Sequence, residues 1–342
     1  MIPGHATSDG TAAFAARFPG PSAHGFYRNV QGLSASSLGL GTYLGAMDES
    51  TDRGYIESVK AAIGGGVNFI DTSLNYRHQR SERNIGAAIQ EMIRGGRRRE
   101  EFVVCTKAGY LVPEAVPFGL LRREDVAGGI HSMAPAFLTD QLERSRANLG
   151  LETIDVLYLH NPEAQLEYVR DEEFHARIER AFNALESLAA EGRIRYYGTA
   201  TWNGYRAPAG EGLSLPRLVE IARRTGGESH RFRFVQLPFN LAMVEAFTRK
   251  PSVLEAAHEH GITVVASASL LQARLASDVP EEVRRRLPGP VTDAQCALQF
   301  ARSAPGIDVA LAGMSSPEHV RENLGVAAFS PASREEFLRL FQ

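Results

Sequence analysis

A single (β/α)8 TIM barrel is the α/β fold that the sequence predicts, and two observations predict it. Eight short apolar runs with strand character recur 29 to 52 residues apart, and each precedes a segment with helical spacing. This spacing is what a strand with its helix requires. The composition does not change between units, which favours one closed barrel, while a doubly wound open sheet remains the alternative. The runs begin at Leu38, Val67, Phe102, Ile154, Ile194, Phe232, Ile262 and Ile307.

The composition limits the class of protein. The 342 residues are 44% hydrophobic and carry a formal net charge of −3. These values exclude a disordered or collagen-like chain, and without a general positive field they argue against nucleic-acid binding. Only two cysteines occur, and no apolar run matches a membrane span or a signal peptide. We expect a cytoplasmic protein with a small-molecule substrate, no nucleic-acid or membrane partner, and an open oligomeric state.

Capping and turn residues place the elements in chain order. Residues 1–25 are rich in Ala, Gly and Pro and predict a flexible arm before a barrel over 26–342. The basic run 94–99 predicts a solvated helix end, and the glycines at 64–66 predict a turn. The longest connection, 109–134, is expected on the C-terminal face, where barrels bind substrates. Helices are predicted from a cap at 50–52 to Ala62, from 139–142 to Gly150, over 182–191, and from 290–293 onward.

Two patterns resemble binding motifs without their structural context. The segment from Gly39 to Gly45 resembles a dinucleotide fingerprint. A Rossmann site needs its glycines between a strand and a helix, whereas Gly39 lies inside a strand. His258 and His260 are two residues apart, so a helix would point them to different sides. We expect neither a Rossmann domain nor a metal site.

Three successive predicted strands end in an ionisable residue. Asp71 ends the second strand, with Tyr76 five residues later, Lys107 ends the third and His160 the fourth. A parallel barrel presents these ends on one face. Taken singly, each residue also has a structural reading: a turn cap for Asp71, a loop anchor for Tyr76, a surface charge for Lys107 and a core histidine for His160.

Together the four residues match the needs of carbonyl reduction. A tyrosine with a pKa near ~10 is a weak acid at neutral pH, so it needs help to donate a proton. A nearby ammonium lowers that pKa, a carboxylate orients the ammonium, and an imidazole can hydrogen-bond the carbonyl oxygen. Lysine is also rare, since only Lys60, Lys107 and Lys250 occur among 37 basic residues. A compact ammonium at this strand end therefore indicates a role that arginine would not fill.

With these residues in place, the sequence resembles the aldo-keto reductase superfamily from about residue 27 to 326. The match follows the family order through most of the predicted barrel. Its motifs are Leu38-Gly-Leu-Gly-Thr-Tyr43, Phe69-Ile-Asp-Thr-Ser-Leu-Asn-Tyr76, Cys105-Thr-Lys107, Leu149 to His160 with Pro162, Gly192-Arg-Ile-Arg-Tyr-Tyr-Gly198, and Gly313 to Asn323.

The resemblance implies a barrel that binds a nicotinamide dinucleotide, usually NADPH, with NADH as the other cofactor. It implies that Tyr76 is the general acid, that Lys107 and Asp71 lower its pKa, and that His160 orients the carbonyl. Tyr43, Tyr110 and Trp202 are candidate aromatic walls of the substrate pocket. The implied cofactor-binding residues are Gly41, Thr42, Asp71, Thr201, Gln236, Ser267, Leu270, Ser315, His319, Glu322 and Asn323.

The chain departs from the family pattern around the cofactor. Ala200 replaces a residue that usually contacts the carboxamide, and Ser267 stands where an aromatic residue usually stacks on the nicotinamide. Gly313 and His319 occupy the usual places of basic residues that bind the 2′-phosphate, a group normally met by Arg or Lys.

The leading hypothesis is an NAD(P)H-dependent reductase of aldehydes or ketones, or the reverse oxidation, with Tyr76 as proton donor. A nicotinamide-binding regulatory barrel with little or no catalysis is the first alternative, motivated by the departures above. The second is an aldolase-like barrel in which Lys107 forms a Schiff base, because barrels host many chemistries.

Overall fold

Eight parallel strands form a closed barrel in the computed structural model, which describes residues 1–208, 210–287 and 289–342. In chain order the strands are β1 Tyr27–Val30, β2 Leu33–Ser36, β3 Leu38–Gly41, β4 Phe69–Asp71, β5 Val103–Ala108, β6 Val126–Ala127, β7 His131–Ser132, β8 Ile154–His160, β9 Ile194–Ala200, β10 Phe232–Pro238, β11 Thr263–Ser267 and β12 Val309–Gly313. The barrel strands are β3, β4, β5, β8, β9, β10, β11 and β12, while β1–β2 and β6–β7 are antiparallel hairpins. The pairing of β12 with β3, including Gly313 with Gly41, closes the sheet. The predicted barrel is thus confirmed and the open sheet is excluded.

Thirteen helices lie in the described residues, two before the first barrel strand and eleven after it. They are α1 Ser8–Ala15, α2 Pro19–Ala23, α3 Glu49–Gly64, α4 Arg80–Arg94, α5 Pro135–Leu149, α6 Asp171–Ala190, α7 Leu215–Gly226, α8 Glu245–Thr248, α9 Val253–Glu259, α10 Glu281–Arg286, α11 Asp293–Ser303, α12 Pro317–Leu324 and α13 Arg334–Leu338.

Helix ends match the sequence predictions better than helix starts. Gly150 caps α5 with a φ of 68°, a left-handed conformation that favours glycine, and Thr292 caps α11 as expected. The helix α3 instead begins after Asp48, whose side chain accepts a hydrogen bond from the Thr51 amide at 2.7 Å. The helix α5 begins at Pro135 rather than near Thr139, because proline is tolerated in the first turn and its φ suits a helix. The helix α6 begins at Asp171, eleven residues before the predicted start at Phe182.

The first 25 residues do not form the expected flexible arm. They contain α1 and α2, and they cover the amino-terminal face of the barrel, where the loops before β5 and β8 lie. The Ile2 amide donates to the Gly150 carbonyl at 2.7 Å, and the Thr7 amide donates to the Glu100 carbonyl at 3.2 Å. Phe14 is fully buried, so a few apolar contacts and backbone hydrogen bonds order a segment whose composition suggests flexibility.

A buried ion pair joins this segment to the barrel. Asp155 on β8 accepts hydrogen bonds from the Ala6 amide at 2.7 Å and the Val104 amide at 2.8 Å. The Arg99 guanidinium donates to the same carboxylate at 2.7 Å, and both side chains are almost fully buried. Arg99 is therefore an exception to the expected solvated run 94–99, because a buried carboxylate requires a buried cation.

We expect Asp155→Ala to be strongly destabilising. The substitution leaves the buried Arg99 cation without its counter-ion, with only the Phe102 and Thr153 carbonyls as acceptors, and removes the acceptor of two buried amides, which costs about 3–5 kcal/mol. The control is Asp140→Ala, which removes a part-exposed pair with Arg144 on α5 and costs less than about 1 kcal/mol. Denaturant unfolding of both variants measures the difference, and equal midpoint shifts would contradict the assigned role of Asp155.

Candidate active site

Strand alternation directs one set of side chains to the barrel interior. Phe69, Val103, Cys105, Val156, Tyr158 and Phe234 belong to one buried cluster, distinct from the layer between strands and helices. Side chains two residues apart on a strand share a face. Asp71, Lys107, His160 and Gln236 are each two residues beyond a member of that cluster, so all four face inward at the carboxyl end.

The Asp71 carboxylate and the Lys107 ammonium form the base of the site. Lys107 Nζ donates to Asp71 Oδ2 at 2.5 Å and to the Thr72 carbonyl at 2.8 Å. Gln236 Nε2 donates to Asp71 Oδ1 at 2.8 Å. Burial alone would lower the pKa of Lys107, but the charge of Asp71 and the hydrogen bond to it outweigh burial and raise that pKa. The lysine is therefore a charged donor, held in one position.

Tyr76 lies directly above this pair. Lys107 Nζ is 4.9 Å from the centroid of the Tyr76 ring, and the ring packs edge-on against Tyr43 at 5.0 Å and His160 at 5.8 Å. Burial raises the pKa of Tyr76, and the Lys107 charge opposes this without reversing it. The resemblance implied that Lys107 lowers the pKa of Tyr76, but the effect of burial, which the sequence does not reveal, is larger. In this structure Tyr76 keeps its proton at neutral pH.

His160 is a neutral imidazole on the adjacent strand. Burial, followed by the positive charge of Lys107, holds the pKa of His160 well below its usual value. Its Nδ1 lies 3.1 Å from Ser73 Oγ, and the Tyr110 ring packs edge-on against its ring at 5.0 Å. Ser73 was missed from the sequence, since its contact depends on a strand 87 residues away.

The electrostatics of Lys107 argue against the aldolase-like alternative. A Schiff-base lysine must be deprotonated to attack a carbonyl, and enzymes achieve this by lowering its pKa. Here the pKa of Lys107 is raised, and two hydrogen bonds hold the ammonium while its side chain is 1% exposed. This lysine is placed to stabilise negative charge and not to act as a nucleophile.

A cavity of about 530 Å³ opens above these residues. The predicted cofactor residues that line it are Gly41, Thr42, Asp71, Thr201, Gln236, Ser267, Leu270, Ser315 and His319, and the three aromatic candidates Tyr43, Tyr110 and Trp202 also line it. Glu322 and Asn323 are outside this lining. Both residues come about one turn after His319 on α12. Asn323 is buried, and the Glu322 carbonyl accepts a hydrogen bond from Gln295. Sequence reasoning missed Asn75, Ser269 and Gln272, which line the same cavity.

Residues 1–208, 210–287 and 289–342 contain no group of three or more His, Cys, Asp or Glu that could hold a metal ion. Over the same ranges, no helix has both the length and the apolar character to span a membrane.

The buried histidine His131 should make the stability of the fold sensitive to acid. Burial lowers the pKa of His131 from 6.5 to about 4, so between these values the unfolded chain binds a proton that the folded chain does not. Stability that depends on this residue is therefore present above pH 6.5 and is lost as the pH falls toward 4. From pH 7 to about 4.5 we expect the wild type to lose about 2–3 kcal/mol more than His131→Gln, which cannot titrate. Urea unfolding at both pH values measures this, and parallel losses would contradict it.

Comparisons with known proteins agree with the fold and the motifs. A sequence model described as "Aldo/keto reductase family" matches residues 37–286. A D-threo-aldose 1-dehydrogenase from a Pseudomonas species is 34% identical over 148 residues, which are 41% of each protein, so the match spans less than half of that curated relative.

Solved structures match over nearly the full chain. An aldo/keto reductase from Klebsiella pneumoniae, in complex with NADP and acetate, has a TM-score of 0.65 at 21% identity, covering 92% of this chain and 93% of the other. A glycerol dehydrogenase from Gluconobacter oxydans has a TM-score of 0.65 at 20% identity, with the same coverage. At these identities the likeness concerns the fold.

Proposed function

The chain belongs to the aldo/keto reductase family, and on that premise we propose that it is an NAD(P)H-dependent oxidoreductase that reduces an aldehyde or ketone to an alcohol, or catalyses the reverse. The observation that carries this proposal is the cluster of Asp71, Lys107, Tyr76 and His160, in which all but the buried Lys107 line one cavity. These four residues provide a proton donor, a cation beside it, a carboxylate that fixes the cation, and a neutral imidazole.

Each residue has one step to perform. Tyr76 donates its hydroxyl proton to the carbonyl oxygen, and the Lys107 ammonium stabilises the phenolate that remains. Asp71 keeps Lys107 charged and in place, while His160 hydrogen-bonds the carbonyl oxygen and orients it. A bound nicotinamide dinucleotide would supply the hydride to the carbonyl carbon. In alcohol oxidation the Tyr76 phenolate accepts the proton.

The cavity wall has the polar groups that a nicotinamide dinucleotide needs. Thr201 Oγ1 is buried without a hydrogen-bond partner on this wall, so it is available to a ligand. Gln236 and Ser267 are beside the four-residue cluster and would hold the nicotinamide end, with Thr201. Ser315 and His319, at the start of α12, would hold the adenosine end, and the Klebsiella pneumoniae structure was solved with NADP.

We infer that this chain would hold the 2′-phosphate of NADPH only weakly. Among residues 1–208, 210–287 and 289–342, no arginine or lysine lines the cavity, and His319 is exposed. We expect His319→Arg to tighten NADPH binding about tenfold and to leave NADH binding unchanged, because a guanidinium forms charge-assisted hydrogen bonds with phosphate. The sole tryptophan, Trp202, lines the cavity, so quenching of its fluorescence measures both dissociation constants.

A matched control separates local from general charge effects. His258→Arg places the same charge on α9, where His258 is exposed and does not line the cavity. This control leaves both dissociation constants unchanged. An equal gain for NADH and NADPH in His319→Arg would show that position 319 does not meet the 2′-phosphate.

The activity test compares carbonyl and alcohol substrates in both directions. Purified protein should consume NADPH or NADH with an aldehyde and release the alcohol in equal amount. Aldoses are the first substrates to test for oxidation, because the curated relative is an aldose dehydrogenase and the wall carries Tyr43, Tyr110 and Trp202. Tight cofactor binding with no turnover across such a panel would favour the regulatory alternative.

We also propose that the protein is cytoplasmic. Cys105 and Cys296 are both buried and free, which is consistent with a reducing compartment. The reaction requires small-molecule partners only.

A further inference from the structure

A buried histidine on the substrate-side loop contacts the backbone of His160. His131 lies on β7, in the connection between β5 and α5, and its Nε2 is 2.7 Å from the His160 carbonyl oxygen. Gly109 permits this approach, because a Cβ at that position would lie 2.7 Å from His131 Nε2 and 2.9 Å from the same carbonyl. The absence of a side chain at residue 109 thus makes room for the contact.

The hydrogen-bond directions around His131 are determined by its neighbours. A carbonyl only accepts, so Nε2 carries the proton and donates to His160. Gln165 Nε2 lies 3.0 Å from His131 Nδ1 and donates to it. Arg177 Nη1 donates to Gln165 Oε1 at 3.0 Å, which fixes the orientation of the Gln165 amide, because arginine only donates. The chain of donors therefore runs from Arg177 through Gln165 and His131 to the His160 backbone.

The same histidine also supports the His160 ring through Tyr110. The Tyr110 ring packs edge-on against His131 at 5.3 Å and against His160 at 5.0 Å. Asn161 Nδ2 donates to the Tyr110 hydroxyl at 3.0 Å, which limits movement of that ring. Arg177 Nη2 also donates to the Glu124 carbonyl at 2.8 Å and so holds the loop that carries His131.

We propose that His131, held by Gln165, is a positioning residue that acts through His160 and couples the docking of the 109–134 loop to the orientation of the substrate carbonyl. This inference rests on the proposed function. No step of the reaction passes through His131, since its side chain faces the backbone of His160 and not the reacting atoms. Its effect is to keep the imidazole of His160 where it can bind the carbonyl oxygen.

The test compares two substitutions at residue 131. In His131→Phe both hydrogen bonds are lost and the ring is retained, so we expect kcat for aldehyde reduction to fall about 10- to 100-fold because the orienting group is displaced. In His131→Gln an amide supplies one donor and one acceptor, so most of kcat returns. The dissociation constant for NADPH, measured by Trp202 fluorescence, stays within about twofold of wild type in both variants. The group that His131 positions is the His160 imidazole, which binds the substrate carbonyl and not the cofactor.

A readout independent of catalysis tests the geometry. In protein labelled with ¹⁵N-histidine, we expect the His131 ring to carry its proton on Nε2 and to lose that single tautomer in Gln165→Met. His230→Phe is the matched control, since His230 is also a buried histidine but precedes β10 on the opposite face. We expect that control to leave kcat unchanged.

Several results would overturn the inference. They are an unchanged kcat in His131→Phe, an equal loss of kcat in His131→Gln and His131→Phe, or a proton on Nδ1 of His131 in the wild type. If the wild type itself reduces no carbonyl, the proposed function fails, whereas the ¹⁵N spectrum still decides the hydrogen-bond geometry.

Discussion

Tyr76→Phe should reduce carbonyl turnover by about 10²–10⁴-fold, the range that a positioned general acid contributes. The substitution removes one oxygen and keeps the ring that packs against Tyr43 and His160. Binding of NADPH should therefore remain unchanged while kcat falls. Steady-state kinetics with one aldehyde, together with Trp202 quenching, separate these two quantities.

The control for this loss is a tyrosine on the same cavity wall. Tyr43→Phe keeps its ring 5.0 Å from Tyr76 and should alter kcat by less than about threefold, because Tyr43 is given no proton to transfer. Comparable turnover in Tyr76→Phe and wild type would remove Tyr76 from the proposed role. Because burial raises the pKa of Tyr76, wild-type reduction should be constant from about pH 6 to 8, whereas alcohol oxidation should increase with pH.

Lys107→Met should abolish most activity and also destabilise the fold. Without the ammonium, Tyr76 loses the charge that stabilises its phenolate, so kcat should fall by at least about 10²-fold. Asp71 would remain buried with only Gln236 as a donor, and breaking a buried ion pair costs about 3–5 kcal/mol. Protonation of Asp71, whose pKa burial already raises, would reduce that cost.

Lys60, one of the three lysines, provides the control for Lys107→Met. Lys60→Met removes the same charge from the surface of α3, where Lys60 pairs with Glu57 and Glu91. This variant should lose less than about 1 kcal/mol of stability and no activity. In Lys107→Met, the remaining alcohol oxidation should require higher pH than in wild type, since phenolate formation becomes harder. An unchanged pH profile would contradict the role of Lys107.

The residues of the site that follow strand periodicity were predictable. Asp71, Lys107 and His160 each end an apolar run, and parallel strands bring such ends to one face. The protonation state of Tyr76 was not predictable, because the degree of burial depends on the packing of Tyr43 and His160 around it.

Other features depend on contacts between distant segments. Ser73 and His131 contact His160 although they are 87 and 29 positions away from it in the sequence, and no local motif marks either contact. Residues 1–25 are ordered by contacts with Glu100, Gly150 and Asp155, which their own composition does not reveal. Glu322 and Asn323 were assigned by the resemblance alone, and they are outside the residues that line the cavity.

The cover formed by residues 1–25 has a consequence for folding during synthesis. These residues leave the ribosome before the barrel strands, but their partner Asp155 is added roughly 7–30 s after Ala6 at about 5–20 residues per second. The first barrel strand waits longer still, because β3 pairs with β12 near the end of the chain. Growing chains therefore expose one edge of an unfinished sheet until β12 has been made, which is an interval in which chaperones have extra surface to bind.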